Sequence, residues 1–288
     1  MIHHTNGENM AMQAATYYNI MSDGTVKQVN PFTGTEVWAV PGRRTRPVTN
    51  EASLTAKAIE RHIPEDYCSF CSPRYFETPP EKSRLIHNND QWQKIDFLPP
   101  DKYHDSTAEF RRVGNMFEIV TLDYWRKNYA YKMIAARQRW KEEYLANLSG
   151  LKHITDIIHY KMRQEGKTDE QIEKTPMTEK LAIADAFFGG GHELVIAKRH
   201  YKDGAQAESD LFSSGEMSTE EHFRYFKFSI DALHDVIQTN RYVRYVSVFQ
   251  NWLRPAGASF DHLHKQMVAL DEWGASIENQ IRMLREDP

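Results

Sequence analysis

Apolar and polar positions divide this chain into stretches of different rhythm. Residues 1–24 are polar and unpatterned, which predicts a mobile tail. From Thr25 to Pro47, Val26, the turn signal over Asn30–Gly34 and the alternating Val37 and Ala39 predict a hairpin followed by a basic turn. Residues 48–66 read as a connector with a short helix, and a Pro-rich loop follows around Pro79 and Pro80. Residues 111–120, RRVGNMFEIV, predict a strand that contains or follows a turn.

The spacing then changes. Residues 122–187 carry apolar positions at helical intervals among Lys, Arg, Glu, Ala, Leu and Tyr. They predict two or three helices, one over Tyr124–Leu148 and another over His153–Glu165. Residues 166–176 read as a loop with a short helix. Beyond Gly189–Gly191 the pattern predicts a strand at His192–Lys198, a polar loop at 203–216 and a helix at Ser218–Asn240. Ser218 with Glu221 three residues on is a capping-box signal. A strand at Tyr242–Gln250, a loop, a strand at His262–Leu270 and a helix at Trp273–Arg285 complete the chain. The expected fold class is α+β: an antiparallel sheet with a helix on one face, residues 25–288 forming one domain into which 122–187 are inserted.

Composition narrows the functional classes. A chain of 288 residues, 40% hydrophobic and 26% charged, has an ordinary globular make-up. Its formal net charge of -4 gives no global electrostatic case for nucleic acid. No apolar run approaches the roughly 18 residues of a membrane helix. The N-terminus lacks a basic start followed by an apolar core, so no secretory signal is expected and the cytoplasm is the expected compartment.

Two features bear on chemistry. Cys68 and Cys71 are the only cysteines, spaced as Cys-x-x-Cys. Two thiols cannot form a disulfide framework; metal binding, a redox pair and chance remain open. Near the C-terminus runs Asp261-His262-Leu263-His264-Lys265-Gln266. In a strand His262, His264 and Gln266 share one face, a costly row to bury without purpose. A solvated polar strand face is the plain alternative.

Four separated motifs, in order, resemble the histidine-triad superfamily on the branch of the galactose-1-phosphate uridylyltransferases. Residues 190–203, GGHELVIAKRHYKD, resemble its His-x-Leu-Val-Ile-Pro-Lys-x-His stretch. Residues 249–266, FQNWLRPAGASFDHLHKQ, resemble the Phe-x-Asn-x-Gly block leading to Ser-x-x-His-x-His-x-Gln. Residues 30–47, NPFTGTEVWAVPGRRTRP, resemble the family's opening, and VGNMF at 113–117 resembles its nucleoside-contacting Asn-Asp-Phe strand.

The resemblance implies a nucleotidyltransferase acting on a nucleoside diphosphate sugar or a hexose 1-phosphate through a covalent nucleotidyl-histidine. His264 would be the nucleophile and Gln266 a phosphate ligand; a neutral amide favours transfer to an acceptor over hydrolysis. Arg43, Arg46, Asn251 and Ser259 would contact phosphate, and Asn115 the nucleoside. Zinc would be held structurally by Cys68, Cys71, His200 and His262, with His192 a competitor for the place of His200. Homodimerisation is also implied.

Several features depart from the family. The Asp expected after Asn115 is Met116. The chain ends about 20 residues after Gln266, without the family's second half. Glu278 lies near an iron-ligating position whose histidine partners have no counterpart, so no iron is expected. The helical block is longer than its counterpart and reads as decoration, lid or partner surface. Other outcomes are a phosphorylase or hydrolase of the same superfamily, and a non-catalytic zinc-braced binding protein.

Overall fold

The computed structural model describes residues 17–30, 35–41, 58–59 and 66–286. Three short strands open it: β1 (Tyr18–Ile20), β2 (Val26–Val29) and β3 (Glu36–Ala39), antiparallel in that order. The expected hairpin is β2–β3. The stretch read as a tail is corrected at its end, because β1 pairs with β2, Tyr18 opposite Gln28. Most of the connector at 48–66 lies outside the described residues.

The main sheet has six antiparallel strands: β4 (Glu81–Asn88), β5 (Gln91–Asp96), β6 (Phe110–Gly114), β7 (His192–Ala197), β8 (Tyr245–Phe249) and β9 (His264–Leu270). Their order is β5-β4-β6-β7-β9-β8. This is the expected α+β class. Five helices fill the space between β6 and β7: α1 (Leu122–Tyr129), α2 (Ala135–Ala146), α3 (Leu148–Gln164), α4 (Asp169–Lys174) and α5 (Met177–Gly189). α6 (Thr219–Thr239) crosses one face of the sheet, and α7 (Ala275–Glu286) closes the described chain.

Local chemistry sets the helix ends. Ser218 and Glu221 form the capping box at the start of α6, each side chain bonding the other's backbone N–H. The single helix expected over Tyr124–Leu148 is two. Ala130 adopts φ 51, a left-handed turn that ends α1, and the chain re-enters a helix only at Ala135.

Residue alternation gives the sheet two faces. Phe110, Val195 and Met267 face α6 and join Tyr225, Phe228 and Val236 in the first core. Val113, Leu194 and Ile196 face the other way, against Phe70. A separate core, with Trp140, Ile154, Ile158, Phe187 and Phe188, holds the inserted helices together.

β4 is the element that the polar pattern concealed. Glu81, Lys82, Ser83 and Arg84 are all buried. They are accommodated by ion pairs: Lys82 to Glu193 at 2.6 Å, Arg84 to Glu81 at 2.7 Å, and Arg112 to Glu193. Buried charges are tolerated only when paired and hydrogen-bonded in this way.

Candidate active site and metal centre

The Cys-x-x-Cys turn, the end of β7 and the approach to β9 converge. Cys68, Cys71, His200 and His262 bring their ligand atoms within 4.8 Å of one another. The two sulfurs are 3.9 Å apart. Sulfur-to-Nδ1 distances are 3.4 and 3.5 Å from Cys68 and 3.7 and 3.8 Å from Cys71. A tetrahedral zinc ion sets S–S edges of about 3.8 Å and S–N edges of about 3.5 Å. The donor set therefore fits a zinc-sized ion in both chemistry and spacing. His262 donates Nε2–H to the Ala197 carbonyl at 2.6 Å, which turns the Nδ1 lone pair toward the thiols. The Cys71 thiol is held well below its ordinary range, first by the hydrogen bond from Cys68 and then by the two imidazoles.

Two residues further on, β9 begins. The strand was expected to start at His262 but starts at His264, so the two rings are set by different neighbours. His264 donates Nδ1–H to the backbone carbonyl of His262 at 2.8 Å. A carbonyl oxygen can only accept, so the neutral ring carries its proton on Nδ1 and its lone pair on Nε2. Burial, first of all, pushes the His264 pKa down, which keeps the ring neutral. Phe70 packs edge-on against it at 5.3 Å between centroids.

Beside His264 lies a cavity of about 230 Å³. His264, Gln266, Ser259 and Asn115 supply its polar wall. Phe70, Phe76, Phe117 and Tyr160 supply aromatic surface. The lining thus combines polar side chains with aromatic surface, which suits a ligand that carries both polar groups and a flat ring.

A family model described as "Domain of unknown function (DUF4921)" matches residues 21–288. The chain belongs to this DUF4921 family. A sequence search of curated proteins gives no match. Among solved structures, an ADP-glucose phosphorylase from Arabidopsis thaliana with bound ADP-glucose is similar at 15% identity and TM-score 0.39, over 90% of this chain and 53% of that one. A GalT-like protein from Arabidopsis thaliana is similar at 14% identity and TM-score 0.41, over 90% of this chain and 52% of that one. The chain spans about half the length of each.

Not every expected site residue of this DUF4921 protein converges. Arg43 and Arg46 lie outside the described residues. Asn251 does not line the cavity; it is half-buried on the loop after β8, its amide near Gly257. On that loop Leu253, at the position where the resemblance has glycine, adopts φ 63 and ψ 171, a conformation ordinarily left to glycine. His192 is not part of the four-residue cluster. Its Nδ1 accepts the Ile119 N–H at 2.8 Å, so Nε2 carries the proton and donates to Gln266 Oε1 at 3.2 Å. Asn115 Nδ2 lies 3.0 Å from the same nitrogen. His192 therefore lies behind two cavity-lining residues, where the sequence offered it only as a competing ligand. The alternation of β7 opposite β9, which puts His192 beside Val268 and Leu194 beside Gln266, is the signal that could have placed it.

Proposed function

We propose that this protein is a nucleotidyltransferase of the histidine-triad type that acts on a nucleoside diphosphate sugar. The observation that carries the reading is the hydrogen bond from His264 Nδ1 to the His262 carbonyl, which leaves Nε2 as the nucleophilic lone pair beside the cavity. In the first half-reaction Nε2 attacks the α-phosphorus. A P–N bond forms, the bridging P–O bond breaks, and the sugar 1-phosphate leaves with the electron pair. The ring becomes cationic, and the His262 carbonyl then accepts from a more acidic N–H, which stabilises that state. In the second half-reaction a phosphate oxygen of an acceptor attacks, the P–N bond breaks and the neutral imidazole is restored.

Gln266 supports both steps. With Oε1 held by His192, its amide N–H groups remain to contact a phosphoryl oxygen. Ser259 offers a further polar contact on the same wall. Cys68, Cys71, His200 and His262 would hold zinc, which supplies no chemical step but tethers His262 and so the carbonyl that orients His264.

The same reading carries a homodimer. Phe223, Phe226, Ile230 and Ile237 are exposed along one flank of α6, and Val248 is exposed on the edge strand β8. Arg224 over Trp92 of β5 and Asp235 on Arg112 of β6 fix the opposite flank toward the far edge. The apolar flank thus leans toward β8. An antiparallel second copy would place Glu220, at the start of α6, opposite Arg241 just past its end.

The reaction is tested by incubating the protein with UDP-glucose or ADP-glucose, with and without a hexose 1-phosphate or inorganic phosphate. Catalytic release of glucose 1-phosphate that requires an acceptor, and that is abolished by His264→Ala, is expected. Continuous nucleoside monophosphate release into water would replace transfer by hydrolysis. Full turnover by His264→Ala would remove His264 from the chemistry.

A further inference from the structure

The inserted helices form part of the cavity wall. α3 contributes Asp156, Ile157 and Tyr160 to its lining. At about 100° per residue, His153, Asp156, Ile157 and Tyr160 fall within one arc of roughly 100°. This face is fastened at both ends to other lining residues. His153 donates Nε2–H to the Thr78 carbonyl at 2.8 Å and accepts from Tyr144 at 2.6 Å. Two turns later, Lys161 donates to the Met116 carbonyl at 2.9 Å and lies over the Phe117 ring. Asp156 sits between these two fastenings.

The residue after Asn115 is Met116, and its side chain packs against the core of the inserted helices. That position offers the cavity no carboxylate. Two carboxylates do line it, Glu77 and Asp156. Both Glu77 oxygens are taken, one by Arg74 at 2.7 Å and one by the Ser69 hydroxyl at 2.8 Å. Asp156 uses only Oδ2, accepting from Lys152 at 2.5 Å; Oδ1 makes no hydrogen bond among the described residues.

We infer that Asp156 is the acceptor for the vicinal 2′- and 3′-hydroxyls of a bound ribonucleotide, so that the inserted helix α3 makes the cavity selective for ribose. A carboxylate is acceptor-only and matches a pair of neighbouring O–H donors, whereas it repels the phosphates that belong at the His264 end. The aromatic part of the lining takes the base, which the ribose links to the phosphate. Ribose recognition therefore comes from an element outside the six-stranded sheet. The inference rests on the reading that the cavity takes a nucleotide.

The test is calorimetric binding of uridine and adenosine 5′-monophosphates and their 2′,3′-dideoxy counterparts to wild type, Asp156→Ala and Asp156→Asn. Wild type is expected to prefer the ribonucleotides by about tenfold or more, the value of hydrogen bonds to a charged acceptor. Asp156→Ala is expected to bind both forms alike, and Asp156→Asn to lie between. Lys152→Ala, which removes only the neighbouring exposed ion pair, is expected to keep the wild-type preference. An undiminished ribose preference in Asp156→Ala overturns the inference and leaves the nucleotide reading standing. A preference lost equally in Lys152→Ala overturns it as well, since the pair and not the acceptor would then be responsible. Failure of wild type to bind any of these nucleotides overturns both.

Discussion

Gln266 is positioned through a histidine that touches no expected substrate. His192→Ala releases Gln266 Oε1 and lets the amide turn. One neutral hydrogen bond corresponds to about 0.5–1.5 kcal/mol, so kcat is expected to fall roughly threefold to tenfold, with metal content unchanged. A loss of metal would instead make His192 part of the ligand set. Glu118 gives a separate test in pH. It is buried, and desolvation raises its pKa from the ordinary 4.5 to about 7, against the lowering influence of Leu122 N–H, Lys82 and Lys161. Its folded-state pKa lies above the unfolded one, so the folded protein holds the proton longer. Stability from this group is therefore present below pH 4.5 and declines as pH rises toward 7, by roughly 3 kcal/mol in all. Glu118→Gln keeps an acceptor for the α1 N-terminus and removes the charge. Its denaturation midpoint at pH 8 is expected to exceed that of wild type; an equal or lower midpoint contradicts this assignment.

Between elements, the Cys2His2 cluster and the inserted helices do different work. The cluster joins the Cys68–Cys71 turn to β7 and β9, and that turn carries Phe70 against His264. Cys71→Ser, or chelation, is expected to lower stability by on the order of 3 kcal/mol, about 6–12 °C in Tm, and to remove turnover. Retention of both would separate the cluster from the site. In the inserted helices Ile158 is fully buried, and Ile158→Ala should cost about 2–5 kcal/mol. How much of this was legible follows from the type of signal each element carries. α6 was readable because capping and apolar spacing agree along it. β7 and β9 were readable as short apolar runs. β4 was not, because its charged partners lie on other strands: Lys82 pairs with Glu193, 111 residues on, and Glu81 with Arg111. The four residues of the cluster that could hold a metal were legible only through the resemblance, since His200 and the cysteines meet in space and not in spacing. The role of α3 in the cavity was not legible at all: Asp156 and Tyr160 are exposed and read as an ordinary solvated helix face, and only the bonds of His153 to Thr78 and of Lys161 to Met116 show that this face borders the cavity.

At the scale of the whole molecule, a six-stranded sheet carries His264 on β9 beside a Cys2His2 cluster, and an inserted helical layer lines the hollow next to it. No helix among the described residues is long and apolar enough to cross a membrane. The open flank formed by α6 and β8 predicts a dimer in light scattering at micromolar concentration, and Ile230→Arg, which puts a charge at its centre, should give a monomer. A wild-type monomer would contradict that assembly. The central claim, however, concerns one nitrogen. Intact-mass spectrometry followed by peptide mapping, after mixing the protein with UDP-glucose or ADP-glucose and no acceptor, reads it directly. The account predicts a nucleoside monophosphate adduct on the peptide containing His264, discharged by added hexose 1-phosphate or phosphate and missing from His264→Ala. An active protein with no adduct, or the same adduct on His264→Ala, would contradict it.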